Sequence, residues 1–190
     1  MRIRIAAAFA AAFVMGALGI FAVAYAGATD LGVTKLAFQW RAAFAGASLL
    51  PLAAVDLLAL RRSTYCPITL RRQTPRVLIR RYRLDVVAFI WGFDTGLVIT
   101  TFRVAAISWG ALLLTALGLS SPWTGVVYGL GFSLPFLVLL FRPQLGRASS
   151  AVAPADPALE AMLRKRPLMQ TISAGLLVAS SVILLGRLLA

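Results

Sequence analysis

Apolar residues in this chain gather into five long runs, separated by segments that are either short or strongly basic. The first run, 5–28, follows Arg2 and Arg4. The second, 36–60, holds Arg41 near one end and Asp56 near the other. Pro51 lies inside it, where the missing amide hydrogen predicts a kink. The third, 86–118, is 33 residues long. As a straight helix it would reach ~50 Å, against a hydrocarbon core of ~30 Å, so it is expected to tilt or break. The fourth, 123–141, is entered at Pro122 and carries Pro135; the last, 167–189, has Arg187 placed to snorkel at its end. The pattern predicts an all-α integral membrane protein. It would be one transmembrane domain over 1–190, a bundle of about five helices with the third long and broken.

The polar segments set the expected orientation. Segment 61–83 carries eight arginines and no acid, and 142–166 adds Arg142, Arg147, Arg164, Lys165 and Arg166. The positive-inside rule puts both in the cytoplasm. Two spans within 86–118 would send the second basic segment outside, whereas one broken span keeps both inside. The expected protein is thus a multi-pass cell-membrane protein with its amino terminus in the cytoplasm and its carboxyl terminus outside. Ala24-Tyr25-Ala26 resembles a signal-peptidase site. The apolar stretch before it outlasts the ~7–15 residues of a signal core, so it is read as a retained span. The linker 142–166 is rich in small and polar residues, with a short surface helix possible from Pro157 onward.

Composition narrows the chemistry. Hydrophobic residues make up 61% of the 190, the mean hydropathy is +0.89 and the net charge is +13. A soluble protein so basic would suggest nucleic acid. Here the arginines stand between apolar spans, which fits topology signals and anionic headgroups, and no nucleic-acid partner is expected. Arg61, Arg62, Arg71, Arg72, Arg80 and Arg81 form a solvated loop that could dock lipid headgroups or a membrane-protein partner, a second copy included. Cys66 is the only cysteine and there is no histidine. That excludes an intramolecular disulfide, a Cys/His zinc site and a Cys–His nucleophile, and no metal or cofactor is expected. Cys66 is expected in the basic loop, outside the core.

Candidate chemistry concentrates in 91–103. Asp94 lies about nine residues from the cytoplasmic end, ~13 Å deep, where a carboxylate invites a functional role. Its alternative is a structural polar contact. Arg103 is nine positions on, half a turn out of phase on a straight helix, so the two pair only if the helix breaks near Thr100-Thr101. Asp94, Thr95, Thr100, Thr101 and Arg103 form the candidate transport or polar intramembrane site. Gly92 and Gly96 make a GxxxG that lets a partner helix approach closely, with Asp94 between them. Arg41 and Arg103 share the outer half, which suits an anion or headgroup site or simple snorkelling.

From Gly92 to Phe141 the chain resembles the second half of the DsbD/CcdA-type cytochrome c biogenesis transmembrane region. The likeness rests on Gly92-x3-Gly96, on Ile99-Thr100-Thr101, and most of all on Tyr128-Gly129-Leu-Gly131-Phe-Ser-Leu-Pro135. Ala174-Gly175-Leu-Leu resembles the closing helix. The resemblance implies Gly129, Gly131 and Pro135 as packing or hinge positions. The family's redox activity uses two intramembrane cysteines, and the position near Thr100-Thr101 lacks one. Thiol–disulfide exchange needs a thiolate and a sulfur to attack, so this chain alone cannot relay it. Three functions are expected in order: a carrier for a small solute or ion, a non-catalytic accessory or assembly subunit, and a thiol relay using a partner's cysteines.

Overall fold

A computed structural model of the chain describes residues 2–64, 66–68, 81–99, 105–141 and 164–189. Among these residues the helices are α1 (Arg2–Asp30), α2 (Phe38–Arg61), α3 (Leu84–Gly96), α4 (Ile107–Ala116), α5 (Thr124–Phe141) and α6 (Arg166–Leu189), with a 3-10 turn at Val33–Lys35. No strand occurs among the described residues. By length and composition α1, α2 and α6 can cross a membrane.

The placement of polar groups is the reverse of that in a water-soluble bundle. Asp56, Thr115, Ser133, Gln170 and Ser181 are fully buried, while Trp40, Trp123 and Val127 stand more than two-thirds exposed. On α6 the buried stripe is Gln170, Ser173, Ala174, Leu177 and Ser181, recurring at helical spacing, whereas Ile172, Leu176 and Ile183 point outward. Small and polar residues thus face neighbouring helices and large apolar ones face the surroundings, as lipid requires.

The six helices among the described residues pack as two groups of three. In the first, α1 carries α3 and α5. A Cβ at Gly92 would press into the Phe9 carbonyl oxygen and one at Gly96 into that of Phe13, so only glycine lets these backbones meet. Both numbers rise together along the contact, so α3 runs parallel to α1. Gly125 meets Ala17 and Gly129 meets Val14, so α5 runs antiparallel. Phe13 stacks on Phe132 at 5.3 Å between ring centres and Phe21 on Tyr128 at 6.0 Å, filling the seam.

In the second group α6 lies antiparallel to α2: Ser181 Oγ donates to the Gly46 carbonyl at 2.7 Å at one end, and Ser173 meets Asp56 at the other. The half-length α4 lies against both and also against α1, joining the two groups. Ala106 sits at Asp56, Gly110 at Leu49 and Leu177, and Gly118 at Arg41, so α4 is antiparallel to α2. The connection 31–37, turning at Gly32 with φ 71°, is short, so α2 runs back in the opposite sense to α1, and it is α4 that packs against α1. The run 86–118 is therefore broken into α3 and α4, both pointing in the sense of α1.

One expectation is corrected here. Cys66 is not in a solvated loop: it is 3% exposed and packs with Leu49, Ala53, Ala106, Ala174 and Leu177. After Arg61 the chain turns back on itself, with Ser63 at φ 53°, and lays 66–68 over the α2–α4–α6 junction. The Trp109 indole donates to the Ile68 carbonyl at 2.9 Å and fastens this strap to α4.

Candidate functional site

Helix α4 begins inside the bundle, and the first amides of a helix have no partner of their own. Asp56 of α2 supplies one. The Ala106 N–H donates to both its oxygens, at 2.8 and 3.0 Å. Ser173 of α6 completes the arrangement: its hydroxyl donates to Asp56 Oδ2 at 2.5 Å and accepts from the Ile107 N–H at 3.0 Å. The cap that usually comes from the residue before a helix comes here from two other helices, 50 and 66 positions away.

The far end of α4 is held by the same neighbour. Arg41 Nη1 donates to the carbonyls of Leu117 and Gly118, at 3.1 and 3.0 Å, and its Nε to Leu36 at 3.1 Å. An acid stands at the positive end of the α4 dipole and a guanidinium at the negative end. Fifteen positions separate Asp56 from Arg41, ~22 Å along α2, close to the ~18 Å from Ala106 to Gly118. Arg41 is thereby a helix-end ligand, and the anion-site reading of Arg41 loses its main support.

Where α3 ends, the backbone is strained. Val98 is fully buried with φ 40°, a left-handed conformation that a β-branched residue rarely takes. Such a residue costs about 1–3 kcal/mol and is held there only by its surroundings.

The sequence-derived candidates fall as follows. Asp94 and Thr95 lie on α3, both half-buried, with Thr95 Oγ1 donating back to the Trp91 carbonyl at 2.7 Å. Thr100, Thr101 and Arg103 lie outside the described residues. Gly92 and Gly96 face α1, and Asp94, two residues or ~200° from each, lies on the opposite side of α3. The helix that covers the glycines therefore does not cover the acid. Gly129 faces α1, a Cβ at Gly131 would meet no atom of the described residues within 4 Å, and Pro135 lies within α5. Arg61, Arg62 and Arg81 are exposed; Arg71, Arg72 and Arg80 lie outside the described residues.

Sequence reasoning missed the Asp56–Ser173 cap. The available signal was the pair of opposite charges inside one span, Arg41 and Asp56, set apart by roughly one short helix. Outside the spans, burial pushes the Cys66 thiol up, with the nearby Asp56 charge adding to this and a hydrogen bond from the Ile68 backbone opposing it. A thiol so placed is a poor nucleophile near neutral pH. No group of three or more metal-ligating side chains occurs among the described residues. No protein-family model matches the sequence, and no curated protein or solved structure matches it.

Proposed function

We propose that the chain is a five-span membrane carrier for a small solute or ion, with α4 as its moving element. The observation that carries this reading is the buried amino-terminal end of α4, closed by Asp56 and Ser173 from two other helices. Broken spans whose helix ends meet charged groups inside the bundle are the usual architecture of binding sites in secondary carriers. A carboxyl group that holds these amides can release them when a solute or proton competes for it, and the strained Val98 beside the break suits a hinge. Asp94 on α3 is the second carboxyl of the proposed pathway. The parallel sense of α3 and α4 supports counting 86–118 as one crossing, hence five crossings with the amino terminus in the cytoplasm and the carboxyl terminus outside. The likeness to the DsbD/CcdA region belongs to this reading as a likeness of scaffold.

The test is flux. Purified protein in liposomes carrying a trapped pH dye, under imposed proton, sodium, potassium or chloride gradients, should dissipate at least one gradient faster than empty liposomes. Asp56→Asn and Asp94→Asn should insert normally and lose that flux. Absence of flux, together with stoichiometric recovery of one membrane partner in mild detergent, would replace this reading with the accessory-subunit one. A specific observation favours that second reading: Arg61, Arg62, Arg81, Arg83, Arg164 and Lys165 are all exposed and flank the membrane-embedded helices as a docking surface would. The thiol-relay reading would draw its reacting cysteines from a partner, since Cys66 is buried.

A further inference from the structure

Between α2 and α4 lies an open cleft of about 320 Å³. Pro51, Leu52 and Val55 form one wall, Trp109 and Leu113 the other, and Ile68 of the strap closes it on one side; its lining is almost wholly apolar, with Ser48 at the far end. The wall residues on α2 recur at three- and four-residue spacing. Two steps further along that stripe, past Leu58, stands Arg62, seven residues beyond Val55 and so ~20° off the same line. Arg62 and its neighbour Arg61 are exposed and make no ion pair among the described residues, and the half-exposed Leu58 lies on the path from Arg62 to the cleft.

We infer that this groove holds one acyl chain of an anionic phospholipid, with its phosphate at Arg61 and Arg62. The inference rests on the membrane-spanning reading and goes beyond it by naming a bound ligand. Charge and length both support it. Two guanidiniums at a helix end match a phosphate, and arginine binds phosphate through paired N–H donors. From Arg62 the cleft runs between ~10 Å at Val55 and ~21 Å at Ser48. A leaflet from headgroup level to midplane is of about that depth, since half of a ~40–45 Å bilayer is ~20–22 Å. A lipid whose phosphate sits at Arg62 thus has its chain end where the cleft ends. The strap makes the groove a fixed shape, because Trp109 holds Ile68 in place through the indole bond. Ordinary boundary lipid would exchange freely; a chain in this slot, anchored by two arginines, would survive washing.

The experiment is delipidation followed by add-back. Protein purified in maltoside detergent and washed extensively should keep about one anionic phospholipid per chain, by phosphorus assay and mass spectrometry. In nanodiscs of phosphatidylcholine doped with phosphatidylglycerol, it should select phosphatidylglycerol over phosphatidylcholine at least tenfold. Arg61→Gln with Arg62→Gln should remove the selectivity. Leu52→Trp, which fills the slot without touching charge, should lower retention of either lipid. Thermal melts in the same detergent show that each variant is folded, and the two variants fail independently if one does not fold. Equal retention in both folded variants, or phosphatidylcholine held as firmly as phosphatidylglycerol, would overturn the inference and leave only boundary lipid. Wild-type protein that stays monomeric and soluble without detergent would overturn the spanning reading as well. A detergent-dependent protein lacking retained lipid overturns this inference alone.

Discussion

Truncating Asp56 to alanine should loosen α4 at its buried end. Two groups lose their acceptor: the Ala106 N–H, which now reaches both carboxyl oxygens, and the Ser173 hydroxyl. A buried amide left unpaired costs about 1–3 kcal/mol, and loss of a helix cap about 1–2 kcal/mol. These overlap, because the amide is the group the cap satisfies, and the expected loss is about 3 kcal/mol once the hydroxyl is included. The helices can stay inserted, so the quantity to measure is local opening of α4. Hydrogen exchange with mass spectrometry, on a peptide covering 105–117 in detergent, reads it directly. At ~1.4 kcal/mol per tenfold, exchange there should speed up by roughly a hundredfold, with peptides from α1 and α3 unchanged. Asp56→Asn should do less, about 1 kcal/mol, since one oxygen still accepts from Ala106 while the amide forces Ser173 to turn. Ser173→Ala should act on the same peptide, and the double variant should be less than additive because both side chains serve one helix end. If Asp56→Ala left exchange in 105–117 within a factor of three of wild type, the clamp would not be what holds α4, and the hinge built on it would fall.

Other outcomes follow from the packing. Gly92→Ala should lower the melting temperature in detergent, through about 1–3 kcal/mol of overpacking against the Phe9 backbone, whereas Gly131→Ala, with open space around it, should be silent in the same melt. Arg41→Gln should raise exchange at the carboxyl end of α4, read at Leu117 and Gly118, by less than Asp56→Ala does at the other end. The Cys66 thiol should react slowly with a maleimide in the folded protein and rapidly after unfolding in dodecyl sulfate; because its titration is shifted upward, the native rate should still be rising above the ordinary thiol value of ~8.5, and fast labelling at pH 7 would place the strap in solvent. In a Cys66→Ser background, single cysteines at Thr64, Ser149 and Ser121 should be labelled by an impermeant maleimide from outside at 121 alone, and outside labelling at 149 would break the five-span count.

Chain-local physics made the helices legible. Runs of twenty or so apolar residues have few other stable forms, so α1, α2 and α6 stand within a few residues of where the pattern put them. The excess length of 86–118 announced a break, for which Thr100-Thr101 offered a place that lies outside the described residues, and Gly92 and Gly96 announced a close contact without naming the helix that makes it. The tertiary structure decided those points, because they depend on partners far away in the chain. Asp56 reads in sequence as a charge near the end of a span; only the docking of α4 and α6 turns it into a cap for Ala106 and Ile107. Arg41 reads as a snorkelling residue until the Leu117 and Gly118 carbonyls arrive beside it. Cys66 reads as part of a basic, solvated loop, since its neighbours in sequence are polar; its neighbours in space are Leu49, Ala106 and Leu177. Apolar periodicity records which faces avoid water, but in lipid the inward face is made of small and polar groups. The identity of each inward partner is set by hydrogen bonds between helices, which no single run of residues contains.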